Sequence, residues 1–254
     1  MVLREGIAMR NSTNTFLDQI SICPYTVNMN KMKNLRVIFC FIVGVCFMGI
    51  CSCESSKTTL TYIGHASVKI VAKDGSVLYI DPNYSDGDYS MPADYIIVTH
   101  QHEDHKPCRK VKLKDDGQQF DNRDFLHDGI YETMNLGPFT VEAVPAGNKN
   151  HDIRYCVGYI VTVDGVKIYH AGDTSMIDQM ADLKPRKLDY AMYPIDGMYN
   201  MDAVEATKVA EVVGARFSIP IHENDQGNSK KSDNFTPNGR LILEYGQTIT
   251  VSPR

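Results

Sequence analysis

The chain has 254 residues, enough to bury a sizeable core in one or two domains. Its 43% hydrophobic and 22% charged residues are those of a globular protein. A net charge of −5 at pH 7, with no Lys/Arg stripe to neutralise a row of phosphates, excludes nucleic acid as an expected partner.

The first readable segment begins at Met32, "MKNLRVIFCFIVGVCFMGICSCESS". Lys33 and Arg36 precede an uncharged, mostly apolar run of 14 residues from Val37 to Ile50. That is short for a membrane span and suits the apolar region of a signal peptide. The run ends in "ICSC", which resembles the lipobox of bacterial lipoproteins, where an aliphatic and two small residues precede the lipidated cysteine. Cys53 is the expected lipidation site and Cys51 the second choice; an uncleaved anchor is the alternative. Either way the body is expected outside the cytoplasmic membrane; with Cys53 lipidated it is lipid-anchored in a bacterial cell envelope, on the periplasmic side or the cell surface. Residues 1–31 have no periodicity and precede a complete signal with its own methionine, so translation is expected to start at Met29 or Met32. The chain thus divides into 1–31, a signal peptide at 32–53 and one domain at 54–254. Removing residues 1–53 leaves a net charge of −8, which makes anionic surfaces and polymers poor partners. Cys108 and Cys156, the two cysteines of the body, read as small buried side chains.

In the body, "TLTYIGHASVKIVA" (59–72) reads as a strand and its continuation, and "SVLYIDP" (76–82) as a second strand stopped by Pro82. "DYIIVTH" (94–100) is a continuous apolar run, as expected for a strand buried on both faces. Further strands are expected at 139–146, 157–174, 188–195 and 216–222, with "DG" at 164–165 as a hairpin turn inside the longest. The clearest helix is 202–214. Asp202 can cap it, Glu205 stands where a capping box places its acid, and Gly214 can end it. Val204, Ala206 or Thr207, Val209, Ala210 and Val213 supply its apolar face. Many strands with few helices suggest sheets packed on each other with helices outside. Four strands end at polar residues able to bind metal or do chemistry: Asp81, His100, Asp173 and His222. Ends of buried strands share one edge of a fold, so these residues can converge.

"HQHEDH" (100–105) gathers three histidines and two acids. His100 and His102 are two apart and point the same way in an extended segment, and Asp104 and His105 follow as the chain turns. Neutral imidazoles with a carboxylate are the ligand set of zinc and its neighbours. With "HAGDTS" and "IPIHEND" downstream, the chain resembles the metallo-β-lactamase fold superfamily. More narrowly, it is similar to the zinc-dependent hydrolases that include ascorbate-phosphate lactonase. The resemblance runs from about Leu60 to His222, through "GHASVKI", "YIDP", "DYIIVTHQHEDH", "VEAVPA", "VGYIVTVDGVKIYHAGDT" and "YPIDGMYNMDAVEA".

The resemblance implies an α+β fold, a four-layer αββα sandwich, with two divalent ions on one edge, Zn2+ first and Mn2+ or Fe2+ as alternatives. His100 and His102 match ligands of site one, Asp104, His105 and His222 those of site two, and Asp173 the bridging carboxylate. The chain departs from the common pattern in "VPAGNKNHD", which puts Asn148 where many relatives have a histidine. His151 is the expected third ligand of site one. The alternatives are a weaker oxygen from Asn148 or a single-metal site. His65, Asp81, His170 and Tyr199 are candidates for the pocket or for contact with the ligands: Asp81 to hydrogen-bond a ligand histidine, Tyr199 with Asn200 and Met201 to reach over the site. His127 reads as a surface residue and Cys108 as no ligand.

Two ions sharing a carboxylate and a water lower that water's pKa towards neutrality and polarise the scissile group. The expected function is hydrolysis of an ester, lactone, amide or phosphodiester by a metal-bound hydroxide. Asp173 would bridge and Asp104 would also pass a proton to the leaving group. The substrate is expected to be a small molecule or a lipid headgroup. A phosphorylated-sugar lactone is cytosolic, which argues against copying the named relative's activity onto an exported body. The runner-up is a phosphodiesterase on lipid headgroups, since the fold is also that of a phospholipase D that cleaves N-acylphosphatidylethanolamine. A non-catalytic envelope protein that binds metal or a solute is the alternative from another class. "KLKDDGQQFDNRDF" (112–125) is expected to reshape the pocket.

Overall fold

The computed structural model describes residues 56–223 and 231–254; the segment expected to be a signal peptide and Cys53 lie outside the described residues. Two six-stranded sheets face each other. The first contains β1 (Thr59–Gly64), β2 (Ser67–Val71), β3 (Val77–Ile80), β4 (Ala93–Val98) and β5 (Leu113–Asp121). A short hairpin, β6 (Leu126–His127) with β7 (Ile130–Tyr131), follows a one-turn helix α1 (Asn122–Phe125). The second sheet contains β8 (Thr133–Leu136), β9 (Phe139–Pro145), β10 (Val157–Val163), β11 (Val166–His170), β12 (Tyr190–Pro194) and β13 (Phe217–Ile221). β14 (Gln247–Thr250) returns to the first sheet, whose order is β14-β1-β2-β3-β4-β5; the second runs β13-β12-β11-β10-β9-β8.

The inner faces interdigitate through Leu60, Ile70, Leu78 and Ile97 from one sheet and Val141, Tyr159, Ile168 and Ile219 from the other. On the outer face of the second sheet, Ile160, Tyr169 and Tyr193 pack against Ala206, Val209, Ala210 and Val213 of helix α2 (Ala203–Val213) and Met180 and Leu183 of a 3-10 helix (Asp178–Arg186). On the outer face of the first sheet Tyr79, Ile96 and Val98 pack with Tyr84, Tyr89, Cys108 and Val111. This is the expected α+β sandwich, with helices on one outside face and connecting segments covering the other.

Strand direction places the site. β3, β4 and β5 are mutually parallel, as are β11, β12 and β13, while β9 is antiparallel to β10 and β1 antiparallel to β2. The C-terminal ends of β1, β3 and β4 therefore fall at one edge of the first sheet, and those of β9, β11, β12 and β13 at one edge of the second. The residues that follow these strands are His65, Asp81, His100, Asn148, Asp173, Asp196 and His222.

Several expectations need correction. Residues 59–72 form a hairpin rather than one continued strand. Gly64 and His65 have φ of 143° and 53°, which no extended strand accommodates, and the register shifts between Tyr62 and Gly64. Asp202 caps α2 by accepting from Glu205 N at 2.8 Å, but the Glu205 carboxylate accepts from Met176 N, so only half of the capping box forms. Val204 lies on the outer face of α2, 53% exposed, and Ala203 takes the buried place. β5, β8, β14 and the short β6–β7 hairpin are additional. β5, β8 and β14 are edge strands with at most one buried side chain, so none carries the apolar alternation that marks a strand. The 112–125 stretch supplies β5 and α1.

Candidate metal centre

His100, His102 and His151 form one group whose ligand atoms lie within 4.8 Å of one another; His65, Asp104, His105 and His222 form a second. Asp173 stands between them. Its Oδ1 is 3.3 Å from His105 Nε2, and its Oδ2 is 3.3 Å from His151 Nε2 and 3.5 Å from His222 Nε2. Asp104 sits at the wetter side, 54% exposed, with Oδ2 3.9 Å from the Nε2 atoms of both His105 and His222. Every residue expected to hold metal thus reaches the same edge. His151, rather than Asn148, completes the first group.

The donor set suits a divalent cation. His105 Nε2, His222 Nε2 and Asp173 Oδ1 are buried and without a hydrogen-bond partner. Isolated buried polar atoms are costly, and these face one another, as atoms that share a positive ion would. His100 Nε2 and His102 Nδ1 likewise converge to 3.1 Å. Neutral imidazole nitrogens and carboxylate oxygens are what zinc and its neighbours accept.

The opposite nitrogen of each buried histidine is held. Asp81 is fully buried; its Oδ1 accepts from Thr99 N at 2.7 Å, and its Oδ2 accepts from Thr99 Oγ1 at 2.7 Å and from His105 Nδ1 at 2.8 Å. Having donated to Asp81, Thr99 Oγ1 can accept from His100 Nδ1 at 3.1 Å. Asn148 Oδ1 accepts from His151 Nδ1 at 3.0 Å. His222 Nδ1 faces Asp196 Oδ2 at 3.3 Å, an ion-pair contact rather than an aligned hydrogen bond. In each case Nδ1 is directed away from the site and Nε2 into it. His65 Nε2 contacts Asp104 Oδ2 at 3.2 Å, and its ring lies 3.7 Å from that of His222. His170 faces the core: its Nε2 donates to Ala66 O at 2.9 Å, and Gly172 N donates to its Nδ1 at 3.2 Å. Tyr199 contributes its carbonyl, which accepts from the side chains of Asn148 and Asn150, while its ring stays 54% exposed. His127 is exposed, and Cys108 and Cys156 are free thiols, the first half-buried and the second buried.

The charges divide the histidines. Burial pulls His100 down to about 3, and burial lowers His151, His65 and His170 as well. Burial opposes a proton on His105 too, but Asp173 and Asp81 outweigh it and hold His105 well up. His222 is raised in the same way, by Asp173 and Asp196. Asp173 is resisted by burial and yet kept well below the carboxylate range by His105 and His222. The hydrogen bond from His65 holds Asp104 low. Burial thus favours the neutral imidazole at His100 and His151, whereas the carboxylates beside His105 and His222 favour a proton there, with which a cation would compete.

Beside His100, His102 and His151 lies a cleft of about 350 Å³, walled by Asn122, Arg123, Asn150, Tyr155 and Cys156. Burial pushes the Cys156 thiol up to about 12, which removes it as a thiolate nucleophile at neutral pH. Thr99 and Asp196 are the contacts that sequence reasoning missed. Both lie beside motif residues, in "VTHQH" and "PIDG", but neither residue type signals a ligand's partner without the fold.

A family model described as the β-lactamase superfamily domain matches residues 59–222. A UPF0173 metal-dependent hydrolase of Pyrococcus furiosus is 34% identical over 193 residues, covering 65% of this chain and 84% of the relative. A crystal structure from Parabacteroides distasonis, assigned to the metal-dependent hydrolases, is 30% identical with a TM-score of 0.64, over 75% of this chain and 94% of that one. The metallo hydrolase Igni18 of Ignicoccus hospitalis, at 22% identity and a TM-score of 0.62, covers 78% of this chain and 100% of its own, a likeness of fold.

Proposed function

The chain belongs to the β-lactamase superfamily, among its metal-dependent hydrolases, and from that premise we propose that its edge site holds two divalent ions, Zn2+ first, and hydrolyses an ester, lactone or phosphodiester bond. The observation that carries this is the central place of Asp173, within 3.3 Å of one histidine in each group. His100, His102 and His151 would hold one ion, Asp104, His105 and His222 the other, and Asp173 both. Ions bound there supply Lewis acidity, which brings water's pKa towards neutrality and polarises the scissile oxygen.

The chain's own residues do the rest. Asp81, through Thr99 and His105, fixes imidazole orientation on the first sheet's side. Asp104 is the half-exposed carboxylate of the site, which places it to take a proton from water and hand it to the leaving group, although the hydrogen bond from His65 lowers its basicity. The cleft of about 350 Å³ fits a small molecule or a headgroup rather than a polymer. The "ICSC" lipobox supports attachment of this body to a membrane through Cys53. Loss of palmitate labelling and of membrane fractionation in Cys53→Ala would bear that out, and labelling that persists in the variant would refute it.

The test of the site is metal content per chain for residues 54–254 beside His102→Ala and Asp173→Ala. About two ions in the parent, reduced in both variants, supports the reading and opens a screen of lactone, ester and phosphodiester substrates. One ion that survives His102→Ala overturns it.

A further inference from the structure

One strip of side chains ties the two halves of the site together behind the ligands. Asp196 follows β12 and is buried. Its Oδ1 accepts from the backbone N–H groups of Met198, Tyr199 and Asn200 at 2.8, 2.6 and 3.2 Å. Its Oδ2 faces His222 Nδ1 at 3.3 Å and accepts from Asn200 Nδ2 at 2.7 Å. Asn200 Oδ1 in turn accepts from Asn148 Nδ2 at 3.1 Å, and the same Nδ2 donates to Tyr199 O at 3.0 Å. Asn148 Oδ1 accepts from Asn150 N at 2.8 Å, His151 N at 3.0 Å and His151 Nδ1 at 3.0 Å.

The polarity of the strip is forced from Asp196 to His151. A carboxylate only accepts, so Asn200 must turn its NH2 to Asp196 and its oxygen to Asn148. Asn148 must then present its NH2 to Asn200 and Tyr199 O, and its oxygen to the 150–151 turn. That oxygen can only accept from His151, which sets the imidazole proton on Nδ1 and frees Nε2. At the other end the Asp196 carboxylate favours the proton on Nδ1 of His222 and frees its Nε2. A flip of Asn200 would set like poles together at two contacts and a flip of Asn148 at four, so the arrangement does not depend on which atom is drawn as oxygen.

We propose that Asp196, Asn200 and Asn148 are positioning residues that set the tautomer and aim of one histidine in each half of the site, His222 and His151. The proposal rests on the hydrolase reading for the purpose of that aim, and it gives Asn148 a role: at the place where many relatives have a histidine, it orients one that stands three residues later.

The test uses the zinc-loaded chain 54–254 and the variants Asn148→Ala, Asn200→Ala and Asn150→Ala. Asn150 Nδ2 also bonds Tyr199 O, at 2.9 Å, without touching the strip's other side chains, so its removal controls for simple loosening of the loops. Histidine side-chain 15N spectra report the tautomers, zinc titrations the affinities, and circular dichroism the fold. Asn148→Ala is expected to lose the His151 Nδ1–H signal and about 10- to 100-fold in affinity at one ion. Asn200→Ala, which touches neither histidine, is expected to disturb both His151 and His222 signals and weaken both ions. Parent-like spectra and affinities in Asn148→Ala and Asn200→Ala would overturn the proposal, and so would equal losses in Asn150→Ala. A parent chain that binds no zinc would sink the hydrolase reading instead. The His151 spectrum of the ion-free chain would then still decide, since an Nε2–H tautomer there contradicts the strip.

Discussion

Asp81 shows how much of the site depends on a residue that would touch no ion. It is fully buried, has φ of 45°, and serves Thr99 N, Thr99 Oγ1 and His105 Nδ1 at once. Asn tolerates the same left-handed backbone, so Asp81→Asn removes the charge with little backbone strain. One acceptor becomes a donor facing Thr99 Oγ1 and His105 Nδ1, and His105 must move its proton to Nε2, towards Asp173. The expected cost is about 1–3 kcal/mol for the mispaired buried group, read from urea unfolding. Zinc affinity should fall about 10- to 100-fold. A variant that unfolds and binds zinc like the parent would leave Asp81 without this role. At this scale the sequence was legible where candidate ligands cluster along the chain, as in "HQHEDH", or end a strand, as at Asp173 and His222. Asp81 was also readable, as a polar stop just past a strand. Thr99 and Asp196 were not, because a hydrogen-bond partner is defined by what lies across the fold and not by its own type.

Elements bring these residues together, and one tight join is at Gly172, between β11 and Asp173. Its φ is 63°, and a Cβ added there would lie 2.6 Å from Val157 O, a backbone atom that cannot swing away. Gly172→Ala should cost more than the about 1–2 kcal/mol of a left-handed residue alone, and the displaced Asp173 should lower zinc content. Gly129→Ala is the companion, since φ there is 80° with nothing within 4 Å of the added Cβ. It should show the backbone cost alone, with zinc content unchanged. Equal losses in the two variants would mean that close packing at Gly172 does not position Asp173. The inner strands were legible because burial writes itself as apolar runs: β4, β10, β12 and β13 fall where the sequence places them. The edge strands β5 and β14 carry exposed polar side chains and leave no such mark. The 59–72 hairpin was hidden because its turn, at His65 and Ala66, interrupts the strand pattern for only two residues and carries no Asn-Gly or Asp-Gly signal.

For the whole molecule, the opposed shifts of its histidines make stability depend on pH differently with and without zinc. After chelation, His100, His151, His65 and His170 are held below their ordinary value by burial. The unfolded chain takes up protons on them as pH falls through about 6.5 while the folded chain does not, so stability drops on that side. The lowered carboxylates Asp81, Asp104, Asp173 and Asp196 add to the loss as pH falls further, through the ordinary carboxylate range. His105 and His222 are raised, so their contribution is complete below about 6.5 and is lost as pH rises through their folded values. Stability of the ion-free chain should therefore peak near about pH 6.5 and decline on both sides. Zinc held by His105 and His222 would replace their protons, which removes the alkaline decline. Its own affinity climbs as competing protons leave, and an excess of about a hundred times Kd adds about 2.7 kcal/mol. Urea midpoints measured from about pH 5.5 to 8.5, in chelator and in excess zinc, should diverge above neutrality, falling in the first and rising in the second. Curves that stay parallel would mean that zinc does not take those two protons, and that His105 and His222 are not its ligands.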